Sequence, residues 1–273
     1  DAVAHVLADP DNYGKRKRSG RPPKLTPRNK RAILNATNAG PTTARQILAH
    51  LDLNLKKKPA LQNHHKDARL NFAQKHISWS DQWNSIIFSD EKKFNMDGPD
   101  GIHYYWHDLR SKPKTIMSRN FGGGSVMVWA GFSSSGKTSI AFLDGRQKAS
   151  DYQRTLSDFI LPVGSQLGGP QWIFQQDNAA IHTAKSTKTW FADHGVKVLD
   201  WPSLSPDLNP IENLWGIMVR RLYANGHQFK SIEELKTKIC EIWSALELQQ
   251  LRNLVESMPR RLLEVVKSKG GTT

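Results

Sequence analysis

The spacing of apolar residues changes character twice along this chain. Residues 2–7 read as the tail of a helix, stopped by Asp9-Pro10. From Gly14 to Lys24 glycine, proline and basic residues follow one another with nothing to bury, which predicts an extended linker. Thr26 suits an N-cap and Pro27 the first helical position, with Ile33, Leu34 and Ala36 facing inward as far as about Asn38. Gly40-Pro41 ends that helix, and Thr42 or Thr43 caps a second one through about Leu51. A trihelical DNA-reading module needs a third helix to enter the groove. Residues 52–58, with three consecutive lysines before Pro59, are too few to supply it. A basic helix over about 64–76 then leads through Trp79 and Trp83 into the rest of the chain.

Beyond residue 83 the period alternates between that of strands and that of helices. Strands are expected over 83–88, 102–106, 125–132, 139–143, 172–176 and 196–201. Helical spacing occupies 151–161, 183–194, a segment opening at Asn209-Pro210, 232–246 and 248–267. Antiparallel strands followed by strand–helix alternation predict an α/β fold, a mixed sheet flanked by helices.

Charge sharpens this division. The net formal charge is +14. Residues 1–80 hold 16 Lys+Arg against 5 Asp+Glu, whereas the remaining 193 residues hold 23 against 20. A basic arm on a nearly balanced body implies a polyanion held by the arm, and nucleic acid is the favoured one. The basic residues of the arm are Lys15, Arg16, Lys17, Arg18, Arg21, Lys24, Arg28, Lys30 and Arg31. The run from Lys15 to Arg18 also suits nuclear import. Cys240 is the only cysteine, which excludes an internal disulfide framework and a cysteine-rich zinc site and fits a reducing compartment. No apolar run approaches the roughly 20 residues of a membrane span. The chain opens at Asp1 rather than Met, as a fragment would.

Three acids stand where an α/β core can gather distant carboxylates. Asp90 and Asp177 close predicted strands, and Glu212 sits in the first turn of a helix, with 34 residues between it and Asp177. Oxygen ligands of this kind suit Mg²⁺, and two such ions about 4 Å apart support in-line displacement at phosphorus. Each acid alone reads more readily as a cap, turn or helix-dipole residue than as a ligand. Asp97-Gly98-Pro99-Asp100-Gly101 is a hairpin turn signal rather than chemistry. Asp207 is expected to shape the entry of the Glu212 helix. Gly122-Gly123-Gly124 lacks the Lys and Ser/Thr of a phosphate loop. His182 is read as a helix-entry or packing histidine in preference to a substrate contact.

The surrounding motifs carry a resemblance. Phe88-Ser89-Asp90-Glu91-Lys92-Lys93-Phe94, Asn120-Phe121-Gly122-Gly123-Gly124-Ser125-Val126-Met127-Val128-Trp129, Gln175-Gln176-Asp177-Asn178-Ala179 and the string from Ser205 to Trp215 resemble the Tc/mariner superfamily of transposases, nearest the nematode Tc type. The resemblance implies a ribonuclease-H-like catalytic domain over 83–273. It matches Asp90, Asp177 and Glu212 one by one to an acidic triad that holds Mg²⁺ or Mn²⁺, two ions per site. It also implies cut-and-paste chemistry on double-stranded DNA at terminal inverted repeats, with joining at TA targets, in the nucleus. A homodimer on paired ends is compatible with it. Gly20-Arg21-Pro22-Pro23-Lys24 resembles the minor-groove hook of the superfamily, with Pro23 in place of its second arginine.

Against relatives with two helix-turn-helix modules, residues 1–8 read as a remnant of the first. Residues 9–25 read as the linker, and 26–76 as an incomplete second module with its connecting helix. The expectation is therefore a transposase in an incomplete copy, with a truncated helix-turn-helix region before the catalytic domain. The rivals are a DNA-binding remnant or domesticated protein without transposition activity, and a stand-alone ribonuclease H, which the basic arm and Tc-type motifs disfavour.

Overall fold

The computed structural model describes residues 61–99 and 124–273. The helices and basic linker expected within residues 1–60, and the strand over 102–106, lie outside the described residues. By its internal contacts the chain divides into Asp1–Ala60 and Leu61–Thr273. The fold described below is that of the second unit.

That unit opens with α1 (Asn63–His76), where the basic helix was expected, and a 3-10 turn (Asp81–Ser85) that buries Trp83. Next comes β1 (Ile86–Asn95), which differs from its expected form: it starts three residues later than 83 and runs seven beyond 88. Its second half is the polar run Ser89-Asp90-Glu91-Lys92-Lys93, which has no apolar alternation to announce a strand. β2 (Ser125–Ser133) keeps it extended, pairing antiparallel from Phe88↔Phe132 to Asn95↔Ser125. Short strands β3 (Gly136–Lys137) and β4 (Ala141–Leu143) also pair antiparallel with β2. Helices α2 (Ala149–Phe159) and α3 (Gly164–Gly168) follow.

β5 (Ile173–Gln175) then enters parallel to β1, in register from Ile86↔Ile173 to Phe88↔Gln175. A short helix that was not expected, α4 (Ala180–Thr183), precedes α5 (Lys185–Asp193), the helix expected over 183–194; Ala184, extended at φ −55°, ψ 144°, separates them. β6 (Lys197–Val198) pairs parallel with β5 and is shorter than the 196–201 expected. Among the described residues the sheet path is β3-β2-β1-β5-β6, with β4 also on β2.

α6 (Ile211–Leu222) and α7 (Ile232–Ser244) follow as predicted. The single helix expected over 248–267 is α8 (Leu248–Glu256) and α9 (Met258–Lys267). Pro259 lies in the first turn of α9; it has no N–H to give, and its ring would clash with the carbonyl four residues back in a continuous helix.

The sheet is buried on both faces. Along β1, Ile86, Phe88 and Phe94 join one apolar cluster with Val128, Phe132, Trp215, Met218, Leu235 and Leu262, from β2, α6, α7 and α9. Ile87 turns the other way, onto Trp129, Tyr152, Leu156, Phe174 and Phe191 under α2 and α5. Strand alternation therefore decides which layer each residue of the polar run addresses.

One polar clamp crosses the first layer. Arg69 of α1 is fully buried and forks onto Asp207, at 2.8 Å from Nη1 to Oδ1 and 2.7 Å from Nη2 to Oδ2. It also donates to the carbonyls of Gly270 and Gly271, at 3.0 and 2.8 Å. The main chain comes so close here that a Cβ at Gly270, where φ is +82°, would run into Lys66. The expectation that Asp207 shapes the entry to the Glu212 helix holds, with α1 and the final segment as its anchors.

Candidate active site

The register of two parallel strands brings the first two acids together. The last parallel pair is Phe88↔Gln175. Asp90 and Asp177 each lie two residues further on, so they leave the same end of the sheet at the same level. Asp90 does so within β1, which outlasts β5, and not at a strand end as the sequence pattern suggested. The crevice beyond the carboxyl ends of parallel strands is where open α/β sheets bind ligands.

Glu212 arrives on the first turn of α6. The loop before it is tied to the sheet by Asn209, whose Nδ2 donates to Ser89 O at 3.1 Å, next to Asp90. Beyond Asp177, Asn178 Nδ2 donates to Trp201 O at 2.7 Å and to Ser203 Oγ at 3.2 Å, holding the opposite lip. Asp90, Asp177 and Glu212 line one cavity of about 380 Å³, together with Asn178, Trp201, Leu204 and Asn209. A second cavity, about 420 Å³ between Lys137 and Trp243, contains no acid. Its Lys137 Nζ already donates to Leu246 O at 2.9 Å, which leaves the acidic cavity as the candidate site.

Electrostatics link Asp90 to Glu212 and Glu91, and Asp177 to His182. Burial, then the charges of Glu212 and Glu91, push the Asp90 carboxyl up to about 8, although Trp215 Nε1 donates to its Oδ2 at 3.1 Å. Burial also raises Glu212, with Lys92 as the opposing charge. Asp177 moves the other way, because His182 Nδ1 lies 2.6 Å from its Oδ1 and Ala179 N donates to the same oxygen at 2.9 Å. Burial alone would lower the basicity of His182, but Asp177 and Glu91 outweigh it and raise the ring to about 9. Among the described residues no three His, Cys, Asp or Glu side chains stand ready-made around an ion. The donor set is nevertheless three carboxylates, the hard oxygen ligands that Mg²⁺ and Mn²⁺ prefer.

Several contributors escaped the sequence reading. His182 packs, as expected, but it also grips Asp177. Trp215 aims its indole N–H at Asp90. Asn209 had no signal beyond its place before a helix. The nine basic residues from Lys15 to Arg31 lie outside the described residues.

A mixed sheet covered on both faces, with acids converging past its parallel strands, defines a ribonuclease-H-like nuclease class. Comparison with known proteins makes this specific: residues 85–236 match the family described as DDE superfamily endonuclease. The Tc3 transposase of Caenorhabditis elegans is 39% identical, over 98% of this chain and 87% of that protein. The Tcb2 transposase of Caenorhabditis briggsae is 35% identical over 80% of each. Among solved structures, a Mos1 transposase paired-end complex with left transposon end superposes with a TM-score of 0.68 at 22% identity, covering 98% of this chain and 86% of that one. The catalytic domain of Mos1 mariner transposase superposes at 0.64, with 22% identity, over 80% of this chain and 100% of that one. The chain belongs to the Tc/mariner DDE transposases, a family of cut-and-paste, metal-dependent nucleases and strand transferases.

Proposed function

We propose that this chain cuts and joins DNA through Asp90, Asp177 and Glu212, acting as one divalent-metal site. The observation that carries the reading is the shared register of Asp90 and Asp177 past Phe88↔Gln175, with Glu212 on the same cavity. Asp90, Asp177 and Glu212 would together hold Mg²⁺ or Mn²⁺ there, two ions per site as the resemblance implies. When bound, such ions activate an attacking oxygen and stabilise the leaving one at phosphorus. Structures of the Mos1 catalytic domain with Mg and with Mn support the choice of metal.

The protein's own residues supply positioning. Trp215 orients Asp90, Asn209 fixes the Glu212 helix against β1, and Asn178 holds the loop at Trp201. The body carries little net charge, so retention of DNA falls to the arm, through Lys15, Arg16, Lys17, Arg18, Arg21, Lys24, Arg28, Lys30 and Arg31. The arm would divide into a linker and hook at 9–25 and a second module that reaches the connecting helix by 76. The catalytic domain follows from 83. The substrates are the terminal inverted repeats of an element and TA target sites, whose easily unstacked step suits a bent target. Nuclear DNA is the place of action, and the Mos1 paired-end complexes favour two copies acting on paired ends. Among the described residues no helix is long and apolar enough to cross a membrane.

The test is nicking of supercoiled DNA with Mg²⁺ or Mn²⁺. Asp90→Ala, Asp177→Ala and Glu212→Ala should each abolish it while melting and DNA binding stay near those of the parent. Undiminished nicking by Asp177→Ala would remove it from the site.

A further inference from the structure

We propose that His182 is a positioning residue for the metal site, holding one oxygen of Asp177 so that the other is presented to a cation. This rests on the reading of Asp177 as a ligand. The ring is 3% exposed and sits between two carboxylates that belong to different elements. Nδ1 meets Asp177 Oδ1 at 2.6 Å, while Nε2 lies 3.3 Å from Glu91 Oε1, too poorly aligned for a hydrogen bond. Oδ1 also receives Ala179 N, whereas Oδ2 accepts no hydrogen bond among the described residues.

Strand alternation explains the arrangement. Asp90 shares the parity of Phe88 and faces Trp215. Glu91 shares that of Ile87 and faces the layer holding Tyr152 and His182. Consecutive residues of one strand therefore reach the site from both sides of the sheet, Asp90 directly and Glu91 through His182 to Asp177.

The ring is also caged. Tyr152 lies over it at 4.1 Å between centroids, and its hydroxyl donates to Gln176 Oε1 at 2.7 Å. Gln176 Nε2 in turn donates to His182 O at 3.2 Å, so the residue before Asp177 fixes the main chain that carries the ring. His76 shows the contrast: it is equally buried, but its Nδ1 meets only the carbonyl of Phe72, at 2.7 Å. Imidazoles that orient a ligand in this way typically change metal affinity 10–100-fold when removed.

Two substitutions separate the halves of the contact. In His182→Asn the amide falls near Nδ1 and still donates to Asp177; in His182→Gln it falls near Nε2 and does not. Binding of Mn²⁺ alone to the full chain, followed by the electron paramagnetic resonance of the free ion, should weaken about 10–100-fold for His182→Gln and stay within about threefold for His182→Asn. Parent-like Mn²⁺ affinity in a folded His182→Gln protein overturns the proposal, as does an equal loss in both variants, which would mean packing alone. Asp177→Ala is the control. If it binds Mn²⁺ as tightly as the parent, the metal-site reading itself fails; if it loses binding while His182→Gln keeps it, only the positioning role fails. In the unaltered chain the Nδ1–H resonance of His182 should shift on addition of Mg²⁺. A resonance that does not move overturns the coupling even where the variants fail to fold.

Discussion

Replacing Asp207 by alanine strands a buried cation, and the structure sets the scale of the damage. Arg69 is wholly buried and the Asp207 side chain only 9% exposed, so water cannot take over the carboxylate's role. Removing one partner of such a pair costs about 3–5 kcal/mol, because the other charge remains buried. The guanidinium would keep its bonds to Gly270 O and Gly271 O, which places the loss near the lower end, about 3 kcal/mol. In a domain of this size each kcal/mol lowers the melting temperature by about 2–4 °C, so a fall of roughly 6–12 °C is expected. Thermal and urea unfolding of the Asp207→Ala protein measures it. Arg69→Met combined with Asp207→Leu should recover only part of the loss, since it removes the stranded charge but leaves Gly270 O and Gly271 O without their donor. Nicking should fall with Asp207→Ala as well, because the residue anchors the loop five positions ahead of Glu212. A cost below about 1 kcal/mol, the range of an exposed ion pair, would refute the reasoning.

The pH dependence of stability follows from two raised groups, Asp90 at about 8 against 3.8 and His182 at about 9 against 6.5. Each contributes stability that is complete below its unfolded value and lost as pH rises through its folded one. Asp177 acts oppositely, but its contribution is already complete above the acid range. Metal-free protein should therefore melt lower as pH rises from about 6 to 9, and Mg²⁺ should offset the decline; a flat profile would count against the cluster. If about six of the nine basic residues in 15–31 meet phosphates, log affinity should fall with log salt at a slope near −5. Deleting residues 1–31 should flatten that slope, and an unchanged slope would move DNA binding onto the body. If residues 52–58 supply no recognition helix, competition binding should show weak discrimination, with a Kd on the order of 10⁻⁴–10⁻⁶ M at physiological salt. A preference for a cognate terminal repeat above about a thousandfold would reveal a surviving recognition element.

Features governed by neighbours in sequence were legible. The strand before Asp177 and the helix of Glu212 follow from apolar period and turn residues. Features governed by distant partners were not. The polar half of β1 is a strand because β2 hydrogen-bonds to it, a fact that no local alternation records. Arg69 looked like one more charge on a basic helix, yet it is buried because Asp207, 138 residues away, receives it. His182 showed only a ring near an acid; Glu91 on the far side of the strand appears only when the chain is folded. The single proline in 248–267 was legible, but the period on either side of it masked the break.

The parallel pairing at Phe88↔Gln175 has an evolutionary consequence. Separation along the chain between Asp90 and Asp177 is immaterial to how they meet, because inter-strand hydrogen bonds align them. Chain can therefore be inserted or lost at an exposed turn such as Asp144-Gly145 without moving either acid. The stretch from Asp177 to Glu212 has less latitude, since Asn178 and Asn209 tie it to Trp201 and Ser89 along its course. A single residue added between Gln175 and Asp177 would turn the acid to the opposite layer, in a copy that still encodes every catalytic side chain. Divergence in this lineage should then accumulate as length changes ahead of the second acid and as substitutions after it.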